Sequence, residues 1–385
     1  MKNTLLKTAT LLIIFILITC GGEPPILLEE RFFDTYDSDS QELVITIMYP
    51  STGSIRALIG LRDQNFFPTE NIIVVGAYHE KELTNYERSK AFVRENRLEW
   101  FKFHKIIGEL NKNNLFRKND CTPDFKKVFK NSDGIIFFGG ADIPPETYGL
   151  KTNLLTRIRT PFRHYVESSF VFHLLGGYQD DNTQAFLEPE PDFPVLGLCL
   201  GEQTLNVGTG GTLIQDVWSE KYGKTYLEDV VKMGRENWHT NPLARLYPQE
   251  ELLGYNLHPI KFTEKGKFIS VLGFGNEDNP YIISAHHQAV NKLGKGMKVA
   301  ATTMDGKVVE AIEHNRFPHV LGVQFHPEFP MLWDDNRTYR IELDDEKKSI
   351  PTILEENPPS YEFHKRIWAW FCENIQKYHN KQRKY

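Results

Sequence analysis

An apolar strand that breaks at a cysteine constrains this chain more than any other feature. Segment 195–198 is a short apolar run typical of a buried strand, and 200–207 can continue as a helix. Cys199 lies between them, and Gly197 and Gly201 leave room for a tight turn. A strand, a turn and a helix in this order expose a nucleophile at the end of a sheet. The partial positive charge at the start of the helix favours the thiolate, which is the reactive form.

A second apolar run ends at a histidine that can serve this thiol. Residues 319–325 are mostly apolar, and His326, Pro327 and Glu328 follow directly. A histidine can take the thiol proton and return it to a leaving amine, and a nearby carboxylate can orient the ring. Taken singly, each residue is better explained without catalysis, Cys199 as a buried structural cysteine and His326 as a surface histidine. Two such groups at sheet ends together favour nucleophilic catalysis.

Strand and helix patterns alternate along the chain, which is typical of an α/β fold. The predicted strands are 43–48, 72–75, 135–138, 195–198 and 320–325. Segments 298–303 and 307–312 around an Asp-Gly pair predict a hairpin. Apolar residues at helical spacing predict a helix with one buried face at Trp100, Phe103, Ile107 and Leu110. A C-terminal helix is predicted in the same way from Phe363, Ile367, Trp370 and Phe371.

Five motifs, in family order, resemble one enzyme superfamily. The pattern Gly197-x-Cys199-x-Gly201-x-Gln203 with His326-Pro-Glu resembles the class I glutamine amidotransferases. Four further motifs narrow the resemblance to the γ-glutamyl hydrolase branch, especially the γ-glutamyl-γ-aminobutyrate hydrolase type: 138–145, 210–216, 284–290 and 309–313. The matched region runs from about residue 72 to residue 328, roughly two thirds of the chain.

This resemblance implies a fold and a set of roles. The implied fold is a flavodoxin-like three-layer sandwich with a mostly parallel central sheet and a cysteine nucleophile elbow. By matching position, Cys199 is the implied nucleophile, His326 the general base and acid, and Glu328 the orienting carboxylate. The backbone N–H groups of Gly140 and Leu200 form the implied oxyanion hole, which needs donors fixed in advance.

The resemblance also implies three side chains that contact the substrate: Gln203, Ser284 and His286. His286 and His287 raise the question of a metal, because paired histidines can bind zinc or copper. No cysteine, histidine or carboxylate at metal-ligand spacing accompanies them in the sequence. We therefore predict no metal and no cofactor.

Two features depart from the family pattern. Glu202 fills a variable position that is more often apolar or histidine in relatives, and a carboxylate facing Cys199 would oppose thiolate formation. Segments 218–253 and 331–359 are additional to what a minimal domain of this kind contains, and we interpret them as insertions near the active face.

The N-terminus has the pattern of an export signal. Lysines precede the apolar run 11–18, which is shorter than the ~20 residues that span a bilayer. Residues 17–20 resemble a bacterial lipobox, in which Cys20 is lipidated; simple secretion or retention is the alternative. The predicted organisation is a signal peptide over 1–19, a lipidated N-terminus and tether over 20–40, and a hydrolase domain over 41–385.

Composition limits the partners and the cysteine pairing. The net charge is −6 and no basic stripe occurs, so no nucleic-acid partner is predicted. If Cys20 is lipidated and Cys199 is the nucleophile, only Cys121 and Cys372 remain of the four cysteines. A disulfide between them is permitted outside the cytoplasm, although the sequence gives no geometry for it.

These observations predict an exported, membrane-tethered cysteine hydrolase. It would cleave a γ-glutamyl amide through a thioester, release glutamate and an amine, and need no obligatory protein partner. One alternative is a glutaminase component that passes ammonia to a synthetase, against which export argues because ATP and the acceptors are cytoplasmic. Another is a catalytically idle binding lipoprotein of the same fold, against which the intact triad argues.

Overall fold

A ten-stranded sheet is the frame of the fold in the part of the chain that the computed structural model describes, residues 29–37, 40–263, 272–275 and 277–382. Its strands are β1 (Leu43–Met48), β2 (Ile72–His79), β3 (Phe101–Ile106), β4 (Gly134–Phe137), β5 (Val195–Leu198), β7 (Asn256–Phe262), β8 (Tyr281–Ser284), β10 (Met297–Thr303), β11 (Val309–His314) and β12 (Val320–Val323). A separate pair consists of β6 (Leu213–Ile214) and β9 (Ala289–Val290). The order across the large sheet is β3-β2-β1-β4-β5-β12-β11-β10-β7-β8.

The sheet has a parallel part and an antiparallel part. Strands β3, β2, β1, β4, β5 and β12 pair in parallel, while β11, β10, β7 and β8 continue the sheet in antiparallel pairs. Apart from the edge strand β3, the parallel strands are mostly apolar because both of their faces are covered, and β1 is buried along its whole length. The predicted α/β fold with a mostly parallel central sheet is confirmed.

Helices cover both faces of this sheet. They are α1 (Thr52–Asp63), α2 (Tyr86–Glu95), α3 (Thr122–Lys130), α4 (Pro161–Leu175), α5 (Leu200–Gly208), α6 (Val217–Glu220), α7 (Leu227–Val231), α8 (Pro242–Leu246), α9 (Ile350–Glu355) and α10 (Ser360–Gln382). On one face Ile45 packs in a cluster with residues of α1 and α10, and on the other Val44 packs with residues of α3 and α4. Successive residues of β1 thus serve two cores, which gives three layers.

One predicted helix is a strand. Trp100, Phe103, Ile107 and Leu110 have helical spacing, but Phe101–Ile106 forms β3. The backbone pairs in parallel with β2, where Gly76 lies opposite Phe103. A short apolar run fits the helical and the strand periodicity alike. The segment becomes a strand because the edge of β2 is free to pair with it. The helical prediction is wrong here.

Other local predictions hold within a few residues. The strands predicted over 43–48 and 195–198 have those bounds, and the hairpin forms from β10 and β11 with Gly306 at a φ of 75° in its turn. The closing helix is α10. Cys121 and Cys372 are both free thiols, so the permitted disulfide between them does not form in this structure.

The folded domain begins earlier than residue 41. Arg31 forms an ion pair with Asp124 on α3, with an N–O distance of 2.9 Å, and bridges to His104 on β3. Phe33 is buried in the core beneath α3. The tether predicted over 20–40 is therefore corrected, because residues around Arg31 and Phe33 belong to the domain. The predicted signal peptide 1–19 and Cys20 lie outside the described residues.

Among the described residues, none of the helices combines the length and the apolar character needed to cross a membrane.

The two segments predicted as insertions pack against each other. Segment 218–253 contains the short helices α7 and α8, and segment 331–359 contains α9. The Asn241 side-chain amide donates to the carbonyls of Leu253 and Ile341 at 2.8 Å each, and Leu253 N donates to Arg340 O at 2.8 Å. These bonds make one connected layer beside the antiparallel part of the sheet.

We expect Phe33→Ala to lower the free energy of unfolding by about 3 kcal/mol, because it leaves a cavity in the core. Denaturant titration measures this loss. The matched control is Leu154→Ala, since Leu154 is fully exposed and its removal should cost less than about 0.5 kcal/mol. Equal effects of the two substitutions would contradict the placement of Phe33 in the core.

Candidate active site

The site is built around the turn from β5 into α5. Cys199 occupies this turn with a φ of 53°, a conformation that costs non-glycine residues energy and that clusters at functional sites. Its N–H donates to Val323 O at 2.7 Å, which ties the turn to β12. A Cβ on Gly197 would lie 2.6 Å from the Gly201 carbonyl carbon, and one on Gly201 would lie 2.1 Å from Phe137 O. Both glycines are therefore needed for the close approach of strand and helix.

His326 and Glu328 lie at the same edge of the sheet. They follow β12, which pairs in parallel with β5, so the carboxyl ends of both strands meet. His326 Nδ1 is 2.8 Å from Glu328 Oε1, and the Cys199 sulfur lies close enough to the ring to raise its pKa. The ring stacks on Phe329 at 4.1 Å between centroids, and both triad partners of Cys199 are buried. The structure thus brings the three predicted residues together.

The pKa of His326 is set by two opposing effects. Burial alone favours the neutral ring and lowers the pKa, but the Glu328 carboxylate and the Cys199 sulfur outweigh it and raise the pKa to about 10. The imidazolium is therefore the resting form at neutral pH. A proton is already stored on the ring, where it can be delivered to a leaving group.

The loop after β4 holds the predicted oxyanion donor. Gly140 follows the strand and packs close to Leu200, the first residue of α5. The Arg163 guanidinium donates to Phe138 O at 2.7 Å and to Gly139 O at 3.1 Å, so it fixes the direction of these peptide groups. A Cβ on Gly140 would lie 1.9 Å from Arg163 Nη1. The loop is rigid because a buried charge holds its carbonyls.

Sequence reasoning missed Arg163. Its Nε forms a buried ion pair with Glu167 at 2.8 Å, and its guanidinium lies 3.5 Å from the ring centre of Tyr49. The sequence contained a hint of this pair, because Arg163 and Glu167 are four residues apart on the otherwise mostly apolar helix α4. A charged pair on a helix that must be buried is expensive unless it serves a site.

Gln203 supports the thiol through a second glutamine. Its Nε2 donates to Gln324 Oε1 at 3.1 Å and to Gln288 O at 3.3 Å. Gln324 in turn donates to Cys199 Sγ at 3.6 Å. Gln324 was not singled out in the sequence, although it is a polar residue between a buried strand and the histidine.

The structure places two predicted substrate contacts in the protein interior. Ser284 is fully buried and its hydroxyl donates to His239 O at 2.9 Å. The His286 ring is also buried, with Nδ1 2.8 Å from Gln288 O and Nε2 facing Glu310. Their polar groups face protein partners and leave none directed to solvent. A motif match fixes which residues are present but not the direction in which they point.

The neighbouring histidine has a different environment. His287 Nε2 lies 3.0 Å from Asp142, in the loop after β4, and its Nδ1 lies 3.4 Å from Asp216, the residue that caps α6. Burial opposes protonation, but hydrogen bonds with the two carboxylates outweigh it and raise the pKa of His287 to about 9. His287 is therefore a cation that joins two loops of the site.

Glu202 is a buried carboxyl group without a hydrogen-bond partner in the described residues. It is fully buried within α5, next to Gly322 on β12. Burial, with smaller contributions from Glu310 and Cys199, raises the pKa of Glu202 well above its usual value. The group is therefore neutral, and the expected opposition to a Cys199 thiolate is absent at neutral pH.

The structure also brings together a set of metal-ligating groups that the sequence did not reveal. His239, His258, His286 and Glu310 are all buried, and one ligand atom from each lies within 4.8 Å of the others. This cluster corrects the expectation that no set of metal ligands accompanies His286. Its members are far apart in the chain, so ligand spacing in the sequence gave no signal.

The fold and the site define a glutamine amidotransferase-like (class I) protein with a cysteine at its elbow. The chain belongs to the Peptidase C26 family, whose model matches residues 115–328. Membership indicates a cysteine hydrolase-like enzyme, and the resemblance found in the sequence is confirmed at this level.

Individual relatives agree with this assignment. The chain is 31% identical over 226 residues to the Lactococcus lactis "Putative glutamine amidotransferase-like protein YvdE", covering 59% of this chain and 78% of that protein. It is 28% identical over 217 residues to a "Putative glutamine amidotransferase" of Mycobacterium tuberculosis, covering 56% of each. It is 26% identical over 149 residues to the chloroplastic anthranilate synthase beta subunit 1 of Arabidopsis thaliana, covering 38% of this chain and 41% of that protein.

We expect Glu328→Gln to lower the pKa of His326 by about 1–3 units, because the carboxylate charge no longer offsets burial. Titration of the histidine ring by NMR measures the shift, and the missing signal in His326→Gln assigns it. Glu356→Gln, which changes a carboxyl group at the far end of α9, should leave it unchanged. A His326 ring that titrates near the ordinary 6.5 in both proteins would contradict the described coupling.

Proposed function

We propose that the protein is a hydrolase that cleaves γ-glutamyl amide bonds through a thioester on Cys199. The observation that carries the proposal is the Cys199 elbow beside the His326–Glu328 pair, with an Nδ1–Oε1 distance of 2.8 Å. A nucleophile, a base and a group that orients the base, within reach of one another, are what acyl transfer requires. Membership in the Peptidase C26 family supports the same chemistry.

In the first half-reaction the Cys199 sulfur, as thiolate, attacks the γ-carbonyl carbon of the substrate. The carbonyl electrons move to oxygen, and the backbone N–H groups of Gly140 and Leu200 stabilise the resulting oxyanion. His326 then donates its proton to the amine nitrogen while the C–N bond breaks. The amine leaves, and the γ-glutamyl group remains on sulfur as a thioester.

In the second half-reaction water replaces the amine. The neutral His326 takes a proton from water, and the hydroxide attacks the thioester carbonyl. The C–S bond breaks, glutamate leaves, and the thiolate–imidazolium pair returns. Glu328 keeps the ring oriented through both steps and stays ionised. Arg163 positions the loop that carries Gly140 without touching the substrate.

The leaving amine is proposed to contact the segment 218–253. This segment begins in α6, whose N-terminal cap is Asp216, and the cationic His287 lies 3.4 Å from the Asp216 carboxylate. The backbone of Val217 also donates to His287 O at 2.7 Å. Changes in this segment are therefore expected to alter the amine that is accepted.

A second candidate is the glutaminase component of an amidotransferase. The names of the relatives favour it: one is called a "putative glutamine amidotransferase-like protein", one a "putative glutamine amidotransferase" and one a beta subunit of anthranilate synthase. The chemistry at Cys199 is the same, with ammonia as the leaving amine. The two candidates differ in whether a partner protein is required for turnover.

We expect the purified protein alone to release glutamate from γ-glutamyl amines, and Cys199→Ala to lower kcat by at least about 10⁴-fold. The fold should persist, because the replaced side chain is small. An electrophilic γ-glutamyl analogue should label Cys199, while Cys121 and Cys372 serve as internal controls. Hydrolysis of glutamine only, and only after a synthetase is added, would favour the glutaminase candidate. Unchanged turnover by Cys199→Ala would exclude the thioester route.

We further propose that the protein is exported and anchored through a lipidated Cys20. The basis is the sequence pattern of residues 11–20. Because one acyl chain anchors only marginally, stable retention needs the several chains of a bacterial lipoprotein. Hydrolysis that needs neither ATP nor a partner protein would suit a location outside the cytoplasm.

In Cys20→Ser we expect loss of lipidation and of membrane association, with unchanged hydrolysis. Intact-mass measurement of membrane-extracted protein and fractionation of cells check this. The control is Cys372→Ser, which should remain lipidated. An unmodified Met1 terminus in the cytoplasmic fraction of wild-type cells would contradict export and strengthen the glutaminase candidate.

A further inference from the structure

Four buried side chains meet beside the antiparallel part of the sheet. His258 lies on β7 and Glu310 on β11, His286 follows β8, and His239 belongs to the segment before α8. All four are at least 95% buried, and we call them the His₃Glu cluster. One ligand atom of each lies within 4.8 Å of the others.

The polar atoms of this cluster lack ordinary hydrogen bonds in the described part of the chain. Both oxygens of Glu310, both ring nitrogens of His239, and Nε2 of His258 and of His286 are without a partner. The distances from the Glu310 oxygens to the three rings are 3.4, 3.9 and 3.6 Å. These exceed the usual 2.7–3.2 Å of such bonds. Burying this many polar atoms without partners is costly, so the centre of the cluster needs an occupant.

The tautomers of two rings identify the charge of that occupant. His286 Nδ1 lies 2.8 Å from Gln288 O, and His258 Nδ1 lies 3.2 Å from Pro259 O. A carbonyl only accepts, so each Nδ1 carries the hydrogen and each neutral ring directs the Nε2 lone pair towards Glu310. Lone pairs facing a carboxylate repel it, and a cation between them removes the repulsion. A backbone carbonyl on the distal nitrogen is also the usual support of a metal-binding histidine.

We propose that the His₃Glu cluster binds one divalent transition-metal ion, with zinc as the best match. Three imidazole nitrogens and one carboxylate oxygen are a tetrahedral set that zinc accepts. Ligand atoms around such an ion are about 3.3 Å apart at the usual Zn–N distance. The Glu310–imidazole distances of 3.4, 3.9 and 3.6 Å are close to this value, and the wider separations, up to 4.8 Å, would contract on binding. Calcium and magnesium prefer oxygen ligands throughout.

The ion has a structural role in this position. It joins β7, β11 and the residues after β8 to the segment 218–253, through His239. The backbone carbonyl of His239 is already held by Ser284 Oγ at 2.9 Å and by His286 N at 3.1 Å. The ion would therefore fix the segment that borders the catalytic site, while Cys199 performs the chemistry.

The test begins with metal content and cobalt binding of the full chain. We expect about one zinc per chain by mass spectrometry after expression in zinc-containing medium. Protein stripped with a chelator during unfolding and refolded should bind Co²⁺ with the visible d–d bands of tetrahedral cobalt, and zinc should abolish them. Both measurements are repeated in Cys199→Ala, because the Cys199–His326 pair could itself bind these ions. Metal retained in that variant also separates this proposal from the proposed hydrolysis.

Glu310→Gln keeps the shape of the side chain and removes its charge, so we expect zinc affinity to fall more than about tenfold. His364→Gln is the matched control, because His364 is equally buried, bonds a carbonyl through Nδ1 and leaves Nε2 unpartnered. No cluster of metal-ligating groups surrounds it among the residues that the structure describes. This variant should keep full metal content. Wild-type protein without zinc or tetrahedral cobalt bands at excess metal overturns the proposal, and so does wild-type affinity in Glu310→Gln. If Glu310→Gln does not fold, the wild-type cobalt spectrum decides.

Discussion

The close packing of β5 against the start of α5 is the constraint on which the site depends. A Cβ on Gly201 would lie 2.1 Å from Phe137 O, so strand β4 and the helix approach as closely as backbone atoms allow. This contact forces Cys199 into a φ of 53°, which costs on the order of 1–3 kcal/mol. The parallel pairing of β5 with β4 and β12 offsets that strain. The thiol is consequently held at one edge of the sheet, where the other groups of the site meet it.

Buried charge around the thiol is arranged in pairs. His326 is protonated beside Glu328, and Arg163 is paired with Glu167 while it holds the loop of Gly140. A buried ion pair contributes little net stability, because desolvation cancels much of the attraction. These ion pairs instead hold the His326 ring and the loop of Gly140 in place. Glu202 has no cationic partner among the described residues, and its burial keeps it neutral. The charged group next to the thiol is therefore His326.

The two parts of the sheet contribute differently. The parallel part supplies the cysteine, the histidine and the loop of the predicted oxyanion hole, which the proposed acyl transfer would use. The antiparallel part supplies the His₃Glu cluster and supports the segment 218–253. The parts are linked by glutamines, since Gln203 bonds both Gln324, which reaches Cys199, and the backbone of Gln288, which orients His286. Cys199 and the His₃Glu cluster are therefore connected through buried amide groups.

The sequence by itself determined the α/β fold, the bounds of β1 and β5, and the cysteine elbow, because these depend on local apolar runs and on glycines beside Cys199. It also determined the family, because the motifs occur in order along the chain. Only the tertiary structure decided that 101–106 is a strand, since an edge of β2 was free to pair with it. It alone decided the directions of Ser284 and His286, the support from Arg163, and the meeting of His239, His258 and Glu310. Such contacts join residues far apart in the chain, and no local periodicity records them.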